Sequence, residues 1–182
     1  MMRIILAGLV IALTSAGSAF AQSNQRQSFG PWTLTTIVDQ AGGPTRAILT
    51  QATTHGSGRS AGESTLTVRC RSDQPAKMDA IFSASQSLTS RPTHPIAFNF
   101  DRGAPLTQTW SSTDEYRGGL NGAAYNYNEA DVSALLGRIE QSEQLTINST
   151  TFTGASISVV FSSTTAHTRD AVQATMRACG RS

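Results

Sequence analysis

Cysteine is scarce in this chain: Cys70 and Cys179 are the only two among 182 residues. So wide a spacing offers no metal-ligand motif, because a structural zinc site draws four ligands from closely spaced pairs. Histidine is nearly as sparse. His55, His94 and His167 stand far apart, and none has a triad partner beside it. The adjacent Ser111 and Ser112 lack the Gly-x-Ser-x-Gly turn that exposes a nucleophilic serine. The 14 basic residues include one lysine, Lys77, and are scattered without a stripe. That distribution argues against nucleic acid or an anionic membrane surface as partner. No internal repeat is present, and no metal, cofactor or catalytic residue is assigned.

What is present begins at the N-terminus. Arg3 precedes a compact apolar run over residues 4–13, and Ala19-Phe20-Ala21 gives the small-x-small pattern that signal peptidase accepts. Residues 1–21 are therefore expected to be a signal peptide cleaved before Gln22. The alternative, a membrane anchor, fits less well, because the run is well short of the ~20 residues of a spanning helix. No cysteine follows the run to accept a lipid, and no later segment is long and apolar enough to span. The mature chain of 161 residues, with 13 basic and 12 acidic side chains, suits one domain. The periplasm is its expected location. In that oxidising compartment a lone cysteine pair is most simply one disulfide; two free thiols or an intermolecular bridge are the alternatives.

Period-two alternation dominates the rest. Residues 22–28 read as a disordered polar lead-in, and residues 29–182 as a single β-rich domain. The first expected strand is Trp32-Thr33-Leu34-Thr35-Thr36-Ile37-Val38, followed by a turn over 39–44 and a second strand over 46–52. Residues 53–63, with three glycines and no apolar period, read as a mobile surface loop. Leu66, Val68 and Cys70 then alternate with Thr65, Thr67, Arg69 and Arg71, which places the cysteine on the apolar face of a half-buried strand. Ala80, Phe82 and Ala84 share a face in the next segment. Residues 90–95 form a proline-punctuated connector. Ile96, Phe98 and Phe100 face Leu106 and Trp110 in the clearest hairpin. Val132, Leu135, Leu136 and Ile139 fall on one helical stripe, with Asn128 as N-cap and Glu129 and Asp131 in the first turn. Strands over 144–148 and 155–162 precede a last helix over 168–178. That helix puts Val172, Met176 and Cys179 on one face, and Gly180 ends it.

Two groups of residues invite functional readings. Asp101 and Asp114 flank Trp110, and paired carboxylates can divide acid and base roles. Asp101 fits better as a turn residue bonding its own backbone before Arg102-Gly103, and Asp114 as a strand end. The segment 116–127 (Tyr-Arg-Gly-Gly-Leu-Asn-Gly-Ala-Ala-Tyr-Asn-Tyr) holds every tyrosine of the chain. Tyrosine offers large contact area at small entropic cost. Tyr116, Arg117, Tyr125 and Tyr127 are therefore candidates for a loop that binds protein or glycan; packing of the tyrosines on a sheet edge is the alternative.

The order of motifs resembles a known family. Leu66-Thr67-Val68-Arg69-Cys70, Phe98-Asn99-Phe100-Asp101, Trp110-Ser111-Ser112-Thr113-Asp114, an apolar helix, a late strand ending in Phe161, and Ala178-Cys179-Gly180 are similar to the series in type VI secretion-associated accessory proteins, the VasI/TagO-like family. The match covers residues 63–180. The resemblance implies the same fold with a Cys70–Cys179 bond, a secretion-associated role and no enzymatic activity. The expected fold is mainly β with two short α-helices, an antiparallel β-sandwich or curved sheet of about eight strands. The expected function is that of a non-catalytic envelope protein binding another periplasmic or envelope protein or cell-wall glycan. A periplasmic inhibitor of a cell-wall hydrolase is the alternative, and a cell-wall-acting hydrolase comes third.

Overall fold

Residues that alternate in polarity also alternate in burial. In β4 (Gly62–Arg71) Ser64, Leu66, Val68 and Cys70 are buried, while Thr65, Thr67 and Arg69 lie half-buried on the other face. β9 (Gln144–Thr150) and β10 (Ser156–Ser162) repeat the pattern, and in β2 (Trp32–Val38) it holds for Trp32 and Leu34. Threonine, valine and isoleucine supply much of these segments, and β-branched side chains suit a pleated, half-buried surface. The computed structural model describes residues 23–38, 43–55, 62–84, 88, 92–113, 123–151 and 153–181. The expected signal peptide, Asp114, Tyr116 and Arg117 lie outside the described residues.

The remaining strands are β1 (Ser23–Phe29), β3 (Thr45–His55), β5 (Gln74–Ser83), β6 (Thr93–Phe100), β7 (Leu106–Thr113) and β8 (Ala123–Asn126). All ten described strands join one sheet in the order β1-β2-β3-β4-β5-β8-β7-β6-β9-β10. Every neighbouring pair is antiparallel. The protein is thus mainly β with two helices, as expected, with more strands than the eight read from the sequence.

Several boundaries differ from expectation. The polar stretch read as a disordered lead-in is strand β1, paired with β2 along its whole length from Ser23↔Val38 to Phe29↔Trp32. Six of its seven residues are exposed, so backbone pairing rather than burial orders it. The loop read over 53–63 is shorter, because β3 and β4 pair out to His55↔Gly62. The connector read over 90–95 gives way to β6 at Thr93. Pro95 precedes Ala97, where β9 begins to pair, so it sits where β6 has a neighbour on one side only.

The sheet bends back on itself. Phe161 of β10 meets Phe82 of β5 edge-on, with ring centroids 6.4 Å apart, and Gln51 of β3 donates from Nε2 to the Ser162 carbonyl at 2.9 Å. The inner faces of the two ends therefore share one core, in the manner of a sandwich. Helix α1 (Glu129–Ile139) packs on β5, and α2 (Thr165–Ala178) packs on β1, β2 and β3. Asn128 caps α1, its Oδ1 accepting from the Ala130 and Asp131 amides, and Val132, Leu135, Leu136 and Ile139 are its buried stripe. Each such fully buried side chain stabilises the fold by roughly 1.5–3 kcal/mol. Buried Trp110 donates from Nε1 to Gln108 Oε1 at 2.9 Å, and Gln108 Nε2 donates to the Asp131 carbonyl at 2.7 Å. This chain of bonds ties the β6–β7 hairpin to α1.

Cys70 and Cys179 are disulfide-bonded, with Cα atoms 5.7 Å apart and 109 positions between them. Both are buried. The bond fastens the end of α2 to the inner face of β4. Closing a loop of that length stabilises by roughly 4–5 kcal/mol in the chain-entropy account. Gly180 follows at φ +74°, the left-handed conformation that ends a helix after its C-cap.

Candidate functional site

The outward side chains of β3, β4 and β5 are brought together by strand register. Arg46 stands opposite Arg71, Ile48 opposite Arg69, and Arg69 opposite Asp79. A groove of about 270 Å³ runs over this face, lined by Arg46, Ile48, Arg69, Arg71, Lys77 and Asp79 among others. Four cations, Arg46, Arg69, Arg71 and Lys77, line it with Asp79, and Asp73 pairs with Arg71 beside it.

Two carboxylates hold the arginines in place. Arg69 Nε donates to both oxygens of Asp79, at 3.2 and 3.0 Å, and its Nη2 donates to the same carboxylate. Arg71 grips Asp73 with both ends of its fork, Nε to Oδ1 at 3.0 Å and Nη2 to Oδ2 at 2.9 Å. Like charges opposite one another on neighbouring strands repel, and the Asp73 carboxylate partly offsets the Arg71 charge that faces Arg46 across the β3–β4 pair. The hydrogen bond from Arg71 is the main reason the Asp73 carboxyl lies below its ordinary value, and the guanidinium charge adds to it.

The groove continues into a second hollow of about 460 Å³ lined by Lys77, Met78, Asp79 and Tyr127. Lys77 and Asp79 border both. Tyr125 projects from the outer face of β8, opposite Ile81 of β5. Its ring lies 4.4 Å, centroid to centroid, from that of Tyr127, at 51° between planes. Tyr127 is 58 % exposed, whereas Tyr125 is half-buried. Of the four binding residues read from the sequence, Tyr125 and Tyr127 thus meet each other, and Tyr127 lines the second hollow. Tyr116 and Arg117 fall outside the described residues.

The carboxylate pair considered above does not assemble on described residues. Asp101 Oδ1 accepts the backbone amides of Glu143 and Gln144, at 3.0 and 3.2 Å, and so clips the β6–β7 turn to the start of β9. This corrects the expectation that it bonds its own turn. His167 lies exposed in the first turn of α2, beside the Gly30 turn between β1 and β2. His55 and His94 belong to β3 and β6. Among the described residues no group of three or more His, Cys, Asp or Glu side chains could hold a metal ion.

The groove residues Arg46, Arg69, Arg71, Lys77 and Asp79 escape a reading along the sequence, because they come from three strands. A signal for them exists: Arg69 and Arg71 share the polar parity of β4, and pairing β3 with β4 as a hairpin sets Arg46 beside them. Compared with protein-family models, with curated proteins and with solved structures, the chain matches none.

Proposed function

We propose that this protein is a non-catalytic binding module of the periplasm whose outer sheet face holds another envelope component. One observation carries the reading: the Tyr125 and Tyr127 rings meet at a tilt, and Tyr127, largely open to solvent, lines the hollow that shares Lys77 and Asp79 with the arginine-lined groove. Exposed aromatic rings beside arginines are the side chains that dominate binding energy where partners meet. The buried Cys70–Cys179 bond supports an oxidising compartment. A secretion-associated accessory role, which the family resemblance implies, is the narrower form of the same reading.

Capture from periplasmic extract, with mass spectrometry of what is retained, tests it on Tyr127→Ala and Tyr125→Ala. Tyr127→Ala is expected to keep the melting temperature within about 2 °C and to lose the captured component. Unchanged capture with a large drop in melting temperature assigns both rings to packing and ends the reading.

A further inference from the structure

A second surface lies at the free edge of the sheet, apart from the hollow at Tyr127. We infer that β1 takes an extended peptide segment of a partner protein as one more strand, with an acidic side chain of that segment opposite Arg26. β1 ends the sheet, paired with β2 alone among the described strands. Proteins blunt such edges with proline, lysine or a bulge. β1 has none of these over its seven residues, and its register with β2 runs unbroken from Ser23↔Val38 to Phe29↔Trp32. The opposite edge differs: in β10 the Ser162 carbonyl already accepts from Gln51 Nε2.

The turn decides which backbone groups face outward. Only Gly30 and Pro31 separate β1 from β2, so the hairpin closes on Phe29 and Trp32 as a hydrogen-bonded pair. Hydrogen-bonded and non-hydrogen-bonded pairs alternate along an antiparallel ladder. Gln27, Gln25 and Ser23 therefore also turn their backbone groups toward β2. The Thr36 hydroxyl, 3.5 Å from the Gln25 carbonyl, agrees with that parity. Asn24, Arg26 and Ser28 present their amides and carbonyls to the open side, which is what strand addition uses.

Arg26 sets the chemistry of the partner. It is the one charged residue of β1, it is exposed, and among the described residues it makes no hydrogen bond or ion pair. Its side chain leaves on the outer face, opposite Thr35, and borders a hollow of about 460 Å³ with Thr33, Thr35 and Thr50. Six of the seven residues of β1 are exposed, so no buried apolar set holds an added strand in register. A carboxylate directly across from Arg26 does so. A second copy of this chain fits less well, because two-fold pairing over the whole strand sets Arg26 against Arg26.

The experiment uses the oxidised mature chain, isotope-labelled for NMR, and capped threonine heptapeptides with glutamate, glutamine or lysine at the centre. A further glutamate peptide is N-methylated at alternate amides, that of glutamate included. The glutamate peptide is expected to slow hydrogen exchange at the Asn24, Arg26 and Ser28 amides and to bind about tenfold more tightly than the lysine peptide. N-methylation is expected to abolish binding. Arg26→Glu is expected to reverse the order of the charged peptides and to keep the melting temperature within about 2 °C. Equal binding of the N-methylated peptide, equal binding of glutamate and lysine peptides, protection away from β1, or no binding by any peptide overturns the inference. Dimerisation of the free chain that protects the same amides, read by sedimentation and exchange, assigns the edge to a second copy and also overturns it. Capture through Tyr127 is untouched by these outcomes, so the reading of that hollow stands or falls separately.

Discussion

The two faces of β4 divide the protein's work. Inward, Leu66 and Val68 are fully buried and Cys70 carries the disulfide. Outward, Thr67 pairs its hydroxyl with Thr50 at 3.1 Å, and Arg69 and Arg71 line the cationic groove. A strand lets neighbouring residues answer to different demands, because successive side chains leave on opposite sides. Changes on the inner face should therefore move stability and spare binding, and changes on the outer face should do the reverse.

The sharpest way to break that division is to remove the disulfide. Cys70→Ala with Cys179→Ala is expected to cost about 4 kcal/mol, read from urea unfolding, while capture of the envelope component persists wherever the protein is still folded. Loss of binding in the folded variant would join the two faces into one unit. Next comes Leu66→Ala, a cavity in a fully buried site, expected to cost about 3 kcal/mol and seen as a lower urea midpoint at unchanged slope. The smallest effect lies outward. Arg71→Gln should raise the Asp73 carboxyl toward its ordinary value, because the bond that holds it down is gone, with only a slight fall in melting temperature, as for an exposed ion pair. With a folded value below the unfolded one, the Arg71–Asp73 pair contributes above the ordinary carboxylate range. Its contribution is lost as pH falls through the depressed value. Carboxyl NMR of Asp73 across acidic pH, in the parent and in Arg71→Gln, measures it.

Legibility in the sequence follows the same division. The inner face could be read, since apolar residues at every second position, or at i, i+3, i+4 and i+7 in α1, record burial directly. The buried stripe of α1 and its Asn128 cap fall where the spacing puts them. Strand β1 could not be read, because Ser23-Asn24-Gln25-Arg26-Gln27-Ser28 carries no apolar period and its order comes from pairing with β2. The start of α2 was hidden for a similar reason. Its first turn is polar, and the helix begins at the Thr164 cap, whose Oγ1 accepts the His167 amide at 3.3 Å. The groove was the least legible part. Its cations are scattered along the chain and become a cluster only through register.

The bond between Cys70 and Cys179 also turns most of the molecule into a closed covalent ring, from β4 round to the end of α2, with β1, β2 and β3 as an arm outside it. A single nick between β5 and β6 would leave both pieces tethered until a reductant arrives. A nick between β3 and β4 has no such safeguard: only hydrogen bonds and packing would keep the arm, and Arg46 with it, against the remainder of the groove.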